Sequence, residues 1–152
     1  MKRSLYWEFG ILALIFTIGA VANFDDKPTF VDLETTVLQE PFLDGRSLLY
    51  RWNGRVLRNC TGALRREVRQ GDETFYLPDR TFTWIPSAKW SGESRQNFVV
   101  AVSLGDFQGR LQSGPATYHV TQVSHCNRIQ AWFGHTIEEE YPPIPFVISD
   151  RP

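Results

Sequence analysis

Beyond residue 28 this chain has no stretch whose apolar residues recur at helical spacing. They alternate with polar residues or gather in short runs, and Gly, Pro and Asp separate the runs. Phe30–Leu38 alternates Val31, Leu33 and Val37 against Asp32, Glu34 and Thr36, and Pro41 ends it. Leu48–Trp52 follows. Asn53-Gly54 is the strongest two-residue hairpin signal, with Arg55–Asn59 as its return arm. Ala63–Gln70 carries Leu64 and Val68 on one face and turns at Gly71-Asp72. Phe75–Leu77 and Thr81–Ile85 read as separate strands, stopped by Pro78-Asp79 and Pro86. Lys89–Gln96 reads as a polar loop carrying Trp90, Asn97–Leu104 as a central strand, and Gly105–Pro115 as a long loop or short hairpin. Ala116–Cys126 alternates again, and Ile144–Ser149 closes the chain after Pro142-Pro143. Seven or eight strands with no helical interludes predict an all-β antiparallel sandwich.

The N-terminus follows another rule. Met1-Lys2-Arg3 precedes an apolar run, Phe9–Ala22, and Asn23-Phe24-Asp25-Asp26 follows it. Positive before and acidic after orients such a segment with its N-terminus in the cytoplasm. Two readings stay open. An uncleaved anchor needs about 20 residues, and Leu5 to Phe24 supplies them if Glu8 sits at the interface beside Tyr6 and Trp7. A signal peptide needs a shorter apolar core and a small-residue site, and Ala20-Val21-Ala22 is one. The organisation is thus 1–24 anchor or signal peptide, 25–29 short linker, 30–152 β-sandwich domain. Either reading places the domain on the extracytoplasmic side: a single-pass membrane protein, or a secreted or periplasmic one after cleavage at Ala22. The remaining length, about 130 residues, suits one domain with a core of its own.

Seven arginines and one acid, Glu67, lie between Arg46 and Arg69, and Glu138-Glu139-Glu140 comes later. The arginines are a candidate surface for phosphate or an anionic polymer, or the solvated faces of strands partly paired with those glutamates. A net charge of -1 argues against a nucleic-acid partner held by bulk charge.

Two cysteines beyond an export segment suggest a disulfide between Cys60 and Cys126. Cys126 shares strand parity with Ala116, Tyr118 and Val120. A bridge spanning 66 residues stabilises by roughly 4 kcal/mol in the chain-entropy model.

Two distant cysteines, alternating strands and a Tyr in the penultimate long strand resemble immunoglobulin domains in architecture. The chain departs from that family where Trp84 and Trp90 come late and where Ser124 stands two before the second cysteine. The resemblance therefore implies an immunoglobulin-like layer arrangement, with the disulfide near one end of it. The layout of one apolar segment, one β-domain and a closing Pro143-Ile144-Pro145-Phe146 strand is also similar to small phage and prophage proteins; that likeness implies no activity.

No catalytic pattern stands out. His119 and His125 share a strand face but lie roughly 20 Å apart, too far for one metal. Ser124 and His125 are adjacent and point to opposite faces. There is no G-x-S-x-G, phosphate loop or H-E-x-x-H, and Gly105-Asp106-Phe107-Gln108-Gly109 lacks the strand-to-helix context of a nucleotide loop. Neither a metal nor a cofactor is implied. Asn59-Cys60-Thr61 matches a glycosylation sequon whose central cysteine is expected to be bridged. The remaining candidates are aromatics in or near loops, Trp84, Trp90, Phe107, Trp132 and Phe133, which form a partner surface or plug the ends of the core. With Arg51, Arg55 and Arg58 they suggest a tethered, non-enzymatic binding or structural module for a protein or glycan. The alternative is an exported hydrolase, which needs a pocket with converging titratable groups.

Overall fold

Alternation decides which way each strand faces. In β2 (Leu48–Val56), residues Leu48, Tyr50, Trp52, Gly54 and Val56 are buried while the intervening ones are not. In β6 (Gly114–His125), Ala116, Tyr118, Val120, Gln122 and Ser124 are buried on the same rule. The computed structural model describes residues 2–23, 27–43, 47–84, 95–107 and 109–150. In it β1 (Phe30–Gln39), β2 and β5 (Arg95–Val102) form an antiparallel sheet in the order β1-β2-β5. β4 (Glu73–Trp84), β3 (Cys60–Gln70), β6 and β7 (Ile137–Glu140) form a second one. β8 (Ile144–Ile148) also pairs with β6, along Gly114–Tyr118, while β7 pairs with Thr121–Ser124 on the same flank. The Tyr141 N–H donates to the Val120 carbonyl at 3.0 Å between them. The sheets pack face to face as a sandwich, with Tyr50 against Tyr118 at 5.7 Å and Trp52 stacked on Trp84 at 5.6 Å between ring centroids. Each large apolar side chain buried there stabilises by about 1.5–3 kcal/mol.

Five features differ from the sequence reading. Asn53-Gly54 is no hairpin. β2 runs straight through it, with Asn53 opposite Glu34 on one side and Asn97 on the other. Gly54 serves close approach instead: a Cβ there would sit 3.2 Å from Leu33 and 3.4 Å from the Trp52 ring. The two segments flanking Pro78-Asp79 are one strand, β4. Among the described residues β4 borders only β3, so an edge proline costs no ladder bond. The apolar run of β5 is also an edge, pairing with β2 alone among the described residues. Its Val99 points outward and is 61% exposed. A short helix, α2 (Arg128–Phe133), follows β6. It is capped by the Asn127 side chain and closed by Gly134 at φ 67°. Finally, the glutamate run forms β7 with Ile137 as its buried residue.

Cys60 and Cys126 form a disulfide with Cα atoms 3.9 Å apart. Thr61 is registered with His125, so residues 60 and 126 are the next opposed pair of adjacent strands. The bridge lies at one end of the β3–β6 ladder, as expected. It staples a single sheet, whereas the immunoglobulin bridge joins two. Beside it the backbones approach so closely that a Cβ at Gly62 would overlap the Val123 carbonyl.

Helix α1 (Lys2–Asn23) meets the domain at α2. Its side chains from Trp7 to Thr17 are exposed. That stretch covers about 16 Å of helix against the ~30 Å of a bilayer core. Among the described residues no helix is long and apolar enough to cross a membrane, so the described part of α1 gives no support to a spanning anchor.

Candidate functional site

A bulge builds the site. Leu64 is registered with Arg80, and Arg66 with Leu77, so Pro78 and Asp79 together oppose the single residue Arg65. The extra residue flips the parity of β4. Phe75 and Leu77 face inward before it, and Arg80, Phe82 and Trp84 face inward after it. Without the bulge Trp84 would point to solvent. The Arg66 guanidinium secures the bulge through a hydrogen bond from Nη2 to the Pro78 carbonyl.

Arg66 has the parity of Leu64 and Val68 and therefore points between the sheets. There it helps line a cavity of about 360 Å³, whose walls include Tyr50, Trp52, Trp84, Phe98, Tyr118 and Tyr141. Arg80, itself exposed, stands at the same cavity, and among the described residues no carboxylate or imidazole lines it. Arg66 is 8% exposed and Tyr118 is 1% exposed. Neither Arg66 Nε nor the Tyr118 hydroxyl has a hydrogen-bond partner of normal geometry, and Arg66 pairs with no carboxylate among the described residues. Burial pushes the Tyr118 phenol up from its ordinary pKa, opposed by the Arg66 cation. Burial does the same to Tyr50, reinforced by Tyr118, and to Tyr141, reinforced by Glu139. All three phenols are therefore held neutral, as donors.

Next to this cavity lies a polar cluster of the opposite character. The fully buried Gln122 accepts at Oε1 from Trp84 Nε1, at 3.1 Å, and from the Tyr141 hydroxyl. Its Nε2 lies 3.0–3.1 Å from Thr29 Oγ1, Ser124 Oγ and Glu139 Oε2. Glu139 also accepts from the Thr29 N–H at 2.6 Å, and Thr29 Oγ1 lies 3.6 Å from Cys60 Sγ.

The outer face of the five-stranded sheet holds a second depression, of about 650 Å³, lined by charges of both signs. Two of its three arginines are countered: Arg69 Nε donates to Glu67 at 2.7 Å, and Arg65 lies 3.6 Å from Glu138; the third is Arg66, which borders both depressions. The glutamates of β7 thus offset part of the arginine stretch. His119 lies on this face, its Nδ1 3.9 Å from Glu140. Among the described residues no group of His, Cys, Asp and Glu could hold a metal ion.

The residues expected to form a binding surface are scattered. Arg51 and Arg55 project from the outward-facing positions of β2. Arg58 donates from Nη1 to the Lys27 carbonyl at 3.0 Å. Phe107, expected in an exposed loop, lies in a short 3-10 turn (Gly105–Phe107) and is buried against Phe75 with centroids 5.4 Å apart. Trp132 is 83% exposed on α2, its ring tilted against that of Phe133 with centroids 5.5 Å apart. Trp90 lies outside the described residues. Among the described residues, Trp84 is the one loop-aromatic candidate that lines the cavity. Arg66 was legible in principle, as a charged residue at core parity between Leu64 and Val68.

Fold and site together define an all-β, two-sheet domain with an intra-sheet disulfide and a cationic, aromatic-walled cavity. No protein-family model matches the chain, and comparison with curated proteins and with solved structures finds no match.

Proposed function

We propose that this chain is a membrane-associated module that carries its disulfide-closed sandwich on the extracytoplasmic side and acts by binding rather than by catalysis. The observation that carries this is the surface of α1. Trp7, Phe9, Ile11, Leu12, Leu14, Ile15 and Phe16 are all exposed, on every side of the helix. A helix apolar all round belongs in a protein core or in lipid, and among the described residues this one's main contact with the domain is at α2. Exposed Trp132 and Phe133 on α2 then sit where an interfacial aromatic belt would form. Lys2-Arg3 at the start of the helix and Asp25-Asp26 beyond its end support that orientation. The outward arginines of β2 are the proposed contact for a protein or glycan, with nucleic acid disfavoured by the net charge of -1. The immunoglobulin likeness is proposed for the two-layer arrangement only, since the disulfide staples one sheet.

The test is a pair of fusions after Pro152. A reporter active only outside the cytoplasm should be active, and a strictly cytoplasmic reporter silent. The reverse pattern overturns the proposal. N-terminal sequencing separates its two forms: Met1 marks a tethered chain, Asn23 a cleaved and released one.

A further inference from the structure

We infer that the inter-sheet cavity is a binding site for a small amphipathic carboxylate, an acid group on an aromatic or short acyl body. The inference holds wherever the chain resides, so it stands apart from the membrane proposal. Its first support is charge. Among the described residues, buried Arg66 and exposed Arg80 are the ionic groups of the lining, and no acid stands with them there. A buried, unpaired guanidinium is costly and is relieved by an anion. Its second support is unfilled bonding. Arg66 Nε and the Tyr118 hydroxyl sit on residues 8% and 1% exposed and line the cavity; Nε has no partner, and the hydroxyl, beside Tyr50 and Arg66, makes no hydrogen bond of normal geometry. The guanidinium has five N–H donors and spends one on Pro78, leaving Nε free for one oxygen of a carboxylate. The neutral Tyr118 hydroxyl can donate to the other. Its third support is the walls. The stacked Trp52–Trp84 pair, Phe98 and Leu64 offer flat apolar surface to the rest of the ligand. A volume of about 360 Å³ lies at the small end of ligand pockets, which favours molecules below drug size.

The experiment titrates the detergent-solubilised full chain with octanoate and 3-phenylpropionate, following tryptophan fluorescence and heat. Matched arms use the corresponding alcohols and inorganic phosphate. At least one acid should bind below about 1 mM, its alcohol about tenfold or more weaker, and phosphate without saturation. Arg66→Met should weaken the acid about tenfold or more, and Tyr118→Phe a few-fold, while both leave the alcohol unchanged. Which acid binds tighter separates the aromatic from the acyl ligand. The inference is overturned if neither acid binds, if acid and alcohol bind alike, or if Arg66→Met keeps full acid affinity. Should Arg66→Met not fold, an unchanged acid affinity in Tyr118→Phe overturns it equally.

Discussion

Gln122 and Arg66 occupy inner-face positions on neighbouring strands of one sheet, yet they live in opposite surroundings. Gln122 is registered with Leu64, two residues before Arg66. Its amide has a partner on both heteroatoms, and each partner is held by another polar group or by packing. Arg66 has one bond of normal direction, to Pro78; its Nε has none, and the adjacent Tyr118 hydroxyl has none of normal geometry. Buried polar groups in folded proteins are almost always satisfied, so the first cluster has the form of a structural network. The second has the form of a site completed by something else. The lesson is that two buried polar residues carry different information, and the count of unmet donors separates them.

The largest effect expected on this contrast comes from the disulfide, which flanks the satisfied cluster through Thr29. Cys126→Ser, or reduction of the intact chain, should lower stability in urea by about 4 kcal/mol, read as a shifted midpoint. No shift on reduction would detach the bridge from the fold's stability. Alkylation of denatured, unreduced protein should label neither cysteine.

Alkaline pH comes next. Tyr50, Tyr118 and Tyr141 have folded-state pKa values raised above the ordinary value of 10.0. Their contribution is therefore fully present below pH about 10 and lost as pH rises further, because the unfolded chain releases those protons first. Tyrosinate absorbance from these three should appear together with unfolding. Ionisation of all three in a chain that stays folded would contradict their burial.

A smaller effect tests the network itself. Tyr141→Phe removes one donor from Gln122 and should cost about 1 kcal/mol by urea denaturation. The smallest belongs to the outer face. Glu138→Gln breaks an ion pair whose side chains are 61% and 60% exposed, so stability should change by at most about 0.5 kcal/mol, less in high salt.

The strands that form both sheets' cores were legible where alternation is clean, as in β1, β6 and β8. Four features were not, each for a physical reason. The bulge hid because Pro78-Asp79 carries the chemistry of a terminator, and only register shows that β4 continues. Asn53-Gly54 misled because Gly54 makes room for Trp52 and Leu33 rather than a turn. β7 hid because three glutamates mask a strand whose buried residue is Ile137. α2, at six residues, is too short for a helical period, although Asn127 and Gly134 supply both of its caps. The cavity draws on five of the eight strands, β2 to β6, so local pattern alone could not assemble it; Arg66 at core parity was its one local trace.

The most direct test compares the two inner-face residues in the same ligand-free protein, by urea denaturation of Gln122→Leu and Arg66→Met. Gln122→Leu strands the Trp84 N–H, the Tyr141 hydroxyl and Thr29, and should lower stability by about 2–3 kcal/mol. Arg66→Met removes an unpaired buried charge and should leave stability within about 1 kcal/mol of the parent, or raise it. An Arg66→Met loss as large as that of Gln122→Leu would contradict the distinction, and would make Arg66 a structural residue like its neighbour.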